Sequence, residues 1–355
     1  MIPRIQGHNM CIWRLFLVLQ RHVGGRRINP LKTGILPLKM GILDCIGNTP
    51  LLELGSIVPA SGARILLKLE SENPTGSMKD RMALAMIEAA EADGRLPPQG
   101  PVVEYTGGST GVSLAFVCAV KRHPLHIVSS DAFQREKLDQ MRIFGAELEI
   151  IHSETGGMTE KLMRDMIAAA RAFTERTGAF GTDQMNNTAP LSDYNRMAEE
   201  IWTQTNGAGG GIDGFVQSVG TGASLRGIGE ALRERRPQIK ILAVEPAESA
   251  VLSGGAPGSH HIEGIGVGFV VPLWSSGLAD SIERVSTEEA TAMAFRLARE
   301  EGLFAGISTG ANVVAALRLA EELGPGATVV TVLVDSGMKY LKTYGARLDK
   351  LAARA

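Results

Sequence analysis

Gly214-Phe-Val-Gln-Ser218 is a short apolar run that leads through Val219 into Gly220-Thr-Gly-Ala-Ser224, and from Ser224 to Arg235 the pattern is helical. A strand, a glycine-rich turn and a helix in that order are the unit of an α/β fold. The turn also carries chemistry. Backbone N–H groups, the hydroxyls of Thr221 and Ser224 and the positive end of the helix all converge on one anion. A plain strand-to-helix turn has the same outline, and so does a dinucleotide loop. Gly220-Thr-Gly-Ala-Ser-Leu does not complete the Gly-x-Gly-x-x-Gly fingerprint of the latter.

The same alternation runs outward in both directions. Towards the N-terminus the pattern gives strands at 64–70, 101–105, 126–129 and 147–151, and helices at 80–93, 112–121, 135–144 and 160–177. Towards the C-terminus it gives a strand at 239–245, helices at 287–301 and 310–323, and a strand at 328–334. Periodicity alone therefore predicts two α/β lobes, and 355 residues with 44% hydrophobic and 21% charged content are enough for both. A formal net charge of −2 gives no basic footprint for nucleic acid or a membrane surface. Cys11, Cys45 and Cys118 form neither a CxxC pair nor a metal-ligand cluster, so no metal is expected and a reducing, cytoplasmic setting fits.

Residues 1–41 differ from the rest. They hold Arg4, Arg14, Arg21, Arg26, Arg27, Lys32 and Lys39, with no acid before Asp44. The expectation is a disordered extension or a start-site artefact, with Met40 just ahead of the first ordered motif. An organelle presequence is the alternative. The run Cys11–Leu19 is interrupted by Arg14 and is too short to span a bilayer. Cys11 and His22 are not expected to be haem ligands.

Two further stretches carry reactive residue types. Asn73-Pro-Thr-Gly-Ser-Met-Lys79-Asp-Arg81 sets a lysine in a turn-prone loop just before a helix. Free lysine titrates near ~10.4, so a lysine that traps a carbonyl needs an environment that stabilises its neutral form. Thr106-Gly-Gly-Ser-Thr-Gly111 is a second strand–turn–helix junction rich in hydroxyls.

Taken together with Ile46-Gly-Asn-Thr-Pro-Leu51, Ala243-Val-Glu-Pro246, Ile262–Phe269, Gly306-Ile-Ser-Thr-Gly-Ala311 and Asp335-Ser-Gly337, these stretches resemble the cysteine synthase family over roughly residues 42–345. These are the fold type II, tryptophan synthase β-like pyridoxal-phosphate enzymes that include O-acetylserine sulfhydrylase and cystathionine β-synthase. The resemblance implies a two-lobed α/β fold, each lobe a mostly parallel twisted sheet flanked by helices. Residues 76–185 would form the smaller, mobile lobe, and 42–75 plus 186–345 the larger.

It also implies the site. Lys79 would bond the aldehyde of pyridoxal 5'-phosphate and act as general base. Gly220, Thr221, Gly222, Ala223 and Ser224 would hold the phosphate, Ser109 the 3'-hydroxyl and Ser308 the pyridine nitrogen. Thr106, Gly107, Thr110 and Gln184 would grip the substrate carboxylate, with Gly266 on the neighbouring loop. The implied reaction is β-replacement, in which O-acetyl-L-serine loses acetate to give an α-aminoacrylate and sulfide or another thiol adds. A homodimer is implied as well.

The sequence departs from the family in four places. Gly107 stands for Ser, Ser109 for Asn, and Ser129-Ser-Asp-Ala-Phe-Gln134 for a different entrance segment, where Asp131 and Phe133 would alter the mouth. Alanine replaces the usual glycine at Ala223, which is tolerable at negative φ. These departures keep β-elimination, such as cysteine desulfhydration, or a different β-replacement, such as cystathionine formation, as alternatives. A non-catalytic binding module is a more distant one.

Overall fold

The computed structural model describes residues 39–156, 159–207 and 211–352. The stretch before residue 39, with Cys11 and His22, lies outside the described residues, and so does the middle of the glycine-rich loop after Asn206.

In chain order the elements are β1 (Leu51–Glu53), β2 (Arg64–Leu69), α1 (Lys79–Ala92), β3 (Val102–Tyr105), α2 (Ser109–Lys121), β4 (Leu125–Ser130), α3 (Arg135–Ile143), β5 (Glu147–Ile151), α4 (Glu160–Thr177), β6 (Phe180–Gly181) and α5 (Pro190–Gly207). They continue with β7 (Gly214–Ser218), α6 (Ala223–Arg235), β8 (Lys240–Pro246), β9 (Ser281–Val285), α7 (Thr287–Glu300), α8 (Ile307–Leu323), β10 (Thr328–Leu333) and α9 (Leu341–Ala352).

The strands form two sheets. One has six strands in the order β1-β2-β10-β7-β8-β9, the other four in the order β5-β4-β3-β6. Every pairing is parallel except β1 with β2, where Leu52 opposes Leu67 in an antiparallel ladder. Because β1 pairs with β2 and β2 with β10, these two N-terminal strands belong to the same sheet as β7, β8 and β9.

Alternation along β2 and β10 shows how the larger sheet is buried on both faces. Ile65, Leu67, Val329 and Leu333 pack into one cluster with Ala290, Leu297, Ala311 and Leu319 of α7 and α8. Leu66, Val330 and Val332 turn to the other side, towards Met82 and Met86 of α1, Met197 and Ile201 of α5, and Ile228 of α6. Two-sided burial of this kind is what parallel sheets need. Helices α7 and α8 approach closely at Gly310, where an added β-carbon would lie 2.0 Å from the Ala290 carbonyl oxygen.

Two starts differ from the sequence expectation in a way that matters for the site. Helix α2 begins at Ser109 rather than 112, and α8 at Ile307 rather than 310. Glycine and hydroxyl residues weaken helix propensity, which hides such first turns in sequence. Consequently Ser109, Thr110 and Ser308 all sit in the first turn of a helix, close to its positive end.

Candidate active site

Lys79 is the first residue of α1, and the loop before it is tied to the end of β10. Met78 N–H donates to the Val334 carbonyl (2.9 Å), Ser336 N–H to the Gly76 carbonyl (2.9 Å), and Ser77 pairs with Asp335 in an isolated bridge. Gly76 takes φ +74°, which lets its N–H close the turn on Asn73 O at 2.7 Å. Inside the loop, Thr75 donates to the Asp80 carboxylate through its N–H (2.7 Å) and its hydroxyl (2.5 Å).

Two residues beyond Lys79, the side chain of Arg81 is 1% exposed and clamped on two sides. It donates to both oxygens of Glu70 (2.8 and 2.9 Å) and to both of Glu200 (2.9 and 2.8 Å). Lys68 meets Glu200 at 2.7 Å and donates to Thr49 O at 2.6 Å. Burial acts to raise the Glu200 carboxyl, but Arg81 and Lys68 overcome it and hold it at about 2. These ion pairs fix the helix that carries Lys79 and leave Lys68 committed elsewhere. Burial pushes the Lys79 amine below its ordinary value, and the Asp335 carboxylate opposes that push.

Asp335 is the hub of the site. Its Oδ2 accepts from the Tyr340 hydroxyl (2.6 Å) and the Ser109 hydroxyl (3.1 Å), and its carbonyl accepts from Gly306 N–H (3.0 Å). Its Oδ1 is buried without a hydrogen-bond partner. Through this one residue the Lys79 loop, the start of α2 and the start of α8 are joined. Ser308 follows two residues after the Gly306 N-cap and is 3% exposed. It is therefore no helix cap. One turn on, Asn312 bridges α8 to β7 and β10, accepting from Ser218 N–H (2.8 Å) and donating to Val332 O (3.0 Å) and Gln217 Oε1 (3.2 Å).

Beyond the C-terminal end of β3, Thr110 donates to Gln184 Oε1 at 2.8 Å, and the Thr106 hydroxyl accepts from Gly108 N–H at 3.3 Å. Gln184 N–H in turn bonds Glu104 (3.2 Å), which also accepts from the Thr182 hydroxyl (2.5 Å). Burial lifts the Glu104 carboxyl to about 7. Asp131 is spent on the turn itself, accepting from Ser153 N–H at 2.8 Å and pairing with His152.

The anion loop links β7 to α6. Gly222 caps α6 with φ +89° and offers no side-chain acceptor to the first turn. An added β-carbon on Gly220 would lie 2.3 Å from the Gly264 carbonyl oxygen, so only glycine lets the two loops touch there. Gly266 N–H bonds Val219 O at 3.0 Å, which seats Gly266 on the anion loop. Ser224 accepts from Gln217 Nε2 at 3.2 Å, and the same nitrogen lies 3.8 Å from the sulfur of Met78, the neighbour of Lys79. Ala223 is the first residue of α6 and is not among the positive-φ residues, so its methyl costs nothing.

The family model for pyridoxal-phosphate dependent enzymes matches residues 42–335. The chain belongs to that family. A cysteine synthase of Staphylococcus aureus is 41% identical to it over 303 residues, 85% of this chain and 95% of that enzyme. Among solved structures, O-acetyl serine sulfhydrylase isoform 3 from Entamoeba histolytica superposes with a TM-score of 0.81 at 36% identity, covering 89% of this chain and 93% of that one. An O-ureido-L-serine synthase superposes with a TM-score of 0.80 at 35% identity, covering 86% and 94%.

Pyridoxal phosphate is the cofactor of this pyridoxal-phosphate dependent enzyme, and its residues suit it. The N–H groups at the start of α6, with Ala223 N–H reaching Thr221 Oγ1 at 3.4 Å, and the Thr221 and Ser224 hydroxyls make a donor set for a phosphate dianion. The loop that holds Lys79 is tied both to Asp335 and, through Met78 and Gln217, to that donor set. Asp335, Asn312, Gln217 and Glu104 were not singled out in the sequence. The one available signal was the position of Asp335 at the end of a strand, in Asp335-Ser-Gly337.

Proposed function

We propose that this chain is a cysteine synthase, which converts O-acetyl-L-serine and sulfide into L-cysteine and acetate. The observation that carries the reading is Lys79: a lysine with a depressed pKa at the start of α1, on a loop pinned to Asp335, in a chain 41% identical to a cysteine synthase. Bound pyridoxal phosphate supplies an electron sink that makes an amino acid's Cα proton acidic and lets its β-substituent leave.

The chain's own residues do the rest. The amine of Lys79 holds the cofactor's carbon in the resting enzyme and takes and returns the Cα proton during turnover. Thr106, Thr110, Gln184 and the backbone N–H of Gly107 bind the substrate carboxylate and orient the Cα–H bond towards Lys79. The Ser308 hydroxyl, buried in the first turn of α8, would face the ring nitrogen of the bound cofactor. Being neutral, it leaves that nitrogen unprotonated, which favours elimination and replacement at Cβ over transamination. The Ser109 hydroxyl, which donates to Asp335, would stand beside the cofactor's 3'-hydroxyl.

Residues 76–185 and residues 42–75 with 186–345 act as two lobes, a reading supported by the separate sheets of β3–β6 and of β1, β2 and β7–β10. The proposal includes a cytoplasmic homodimer, which rests on the family resemblance. No helix among the described residues is long and apolar enough to cross a membrane.

A second reading, β-elimination of cysteine to release sulfide, is favoured by the absence of a hydroxyl at Gly107. Purified protein given O-acetyl-L-serine and sulfide separates the two. Net cysteine accumulation supports the synthase, while net sulfide release from added cysteine supports the eliminase.

A further inference from the structure

Two of the departures from the family turn out to be one feature. A β-carbon built on Gly107 would fall 2.0 Å from Cγ and Cδ2 of Phe133 and 2.6 Å from Cδ1. The ring therefore occupies the volume into which any side chain at position 107 would project. Nor is it loosely placed. Phe133 N–H bonds Ser130 O at 3.2 Å, and the ring is half-buried against the cluster of Val103, Val128 and Leu162. The next residue, Gln134, donates to Thr343 at 2.9 Å and also to Glu263, and Lys137 reaches Glu263 at 2.6 Å. Glu263 directly precedes the glycine loop that touches Gly220. The segment bearing Phe133 is thus clasped across the cleft between the two sheets, with the ring aimed at the loop that begins at Thr106.

We propose that Phe133 and Gly107 are a matched pair that sets the size of the second substrate. This rests on the β-replacement reading above. Where a small hydroxylated side chain would leave room and a hydrogen-bond donor, the ring supplies a hydrocarbon wall over the carboxylate loop. A wall held on both sides cannot swing aside without breaking the clasp to Glu263. Hydrogen sulfide, with one heavy atom, passes it. An alkyl thiol attacking the same carbon has to place its stem where the ring stands.

The test uses the cofactor-loaded enzyme and three variants: Phe133→Ala, Gly107→Ser and the double variant. The first readout is the ratio of kcat/KM for 2-mercaptoethanol to that for sulfide, with O-acetyl-L-serine as donor. Phe133→Ala should raise it at least about tenfold, the lower end of what one methylene in a pocket is worth. The second readout is the melting temperature. Gly107→Ser should lower it clearly in the parent and much less in the Phe133→Ala background, because the collision exists only when the ring does. Phe133→Met serves if the alanine variant does not fold. An unchanged ratio in an active Phe133 variant, or equal losses from Gly107→Ser in both backgrounds, overturns the proposal. A parent that makes no cysteine overturns the functional reading and the substrate role together, which an active parent with an unaltered ratio does not.

Discussion

Ser109 and Asp335 lie 226 positions apart in the chain, yet the serine hydroxyl donates to the aspartate Oδ2 at 3.1 Å. That contact ties the first turn of α2 to the strand end that also receives the Lys79 loop. Asp335 is the group that opposes the fall in the Lys79 pKa. Removing its charge in Asp335→Asn should let that pKa fall further. In cofactor-free protein, the pH midpoint for the rate of pyridoxal phosphate uptake, followed by absorbance, should move to lower pH than in the parent. A midpoint that stays put would remove Asp335 from the electrostatics of the site.

Arg81 should be the costliest side chain to lose in the Lys79 helix. Removing one partner of a buried ion pair leaves the other charge uncompensated, at about 3–5 kcal/mol. Arg81→Met strands Glu70, which is 0% exposed, and loosens Glu200. Urea unfolding should show a loss in that range, and a loss below about 1 kcal/mol would show that the network bears little of the helix's position.

Glu104 makes the stability depend on pH. Its carboxyl is raised from 4.5 to about 7, chiefly by burial. Between those values the folded protein keeps a proton that the unfolded chain releases, so this group's contribution falls as pH rises from 4.5 to 7. Glu104→Gln abolishes that slope. Relative to the parent, the variant should gain roughly 3 kcal/mol between pH 4.5 and 8, read as the difference in urea midpoints, since 2.5 pKa units correspond to about that much. Parallel pH profiles would contradict the assignment.

The limits of the sequence reading follow from these same contacts. Helix α4 matches its sequence expectation at both ends because local chemistry marks them: Thr159 accepts from Leu162 N–H at 3.1 Å, and Gly178 closes the helix at φ +70°. Strand β9 was invisible because Ser281-Ile-Glu-Arg-Val285 is an edge strand whose two apolar residues, Ile282 and Val285, fall on opposite faces and show no alternation. Three residues of β1 are too few to show a period, and their antiparallel direction is set by pairing with β2. In the site, glycine-rich turns and the lysine loop were legible by residue type and by resemblance. Asp335, Asn312 and Gln217 were not, because their side-chain meaning lies in partners between 5 and 226 residues away. Phe133 and Gly107 were each visible as departures, and only the fold shows that they meet.

Gly220 should tolerate no side chain. With its β-carbon 2.3 Å from the Gly264 oxygen, Gly220→Ala has to displace one loop or the other. Overpacking costs about 1–3 kcal/mol. If that strain falls on the anion loop, pyridoxal phosphate should bind about 5–150-fold more weakly by titration. Unchanged affinity with an unchanged melting temperature would contradict the close contact, and unchanged affinity with a lowered one would put the strain on the Gly264 loop.

The role proposed for Lys79 is to carry the cofactor in an enzyme that makes cysteine from O-acetyl-L-serine. The most direct test is the visible absorption spectrum of the purified protein and of Lys79→Ala, taken before and after O-acetyl-L-serine and again after sulfide. A visible band that depends on Lys79, shifts to longer wavelength with O-acetyl-L-serine and returns with sulfide as cysteine appears is the predicted result. A band that persists unchanged in Lys79→Ala, or one that ignores O-acetyl-L-serine in the parent, would contradict it.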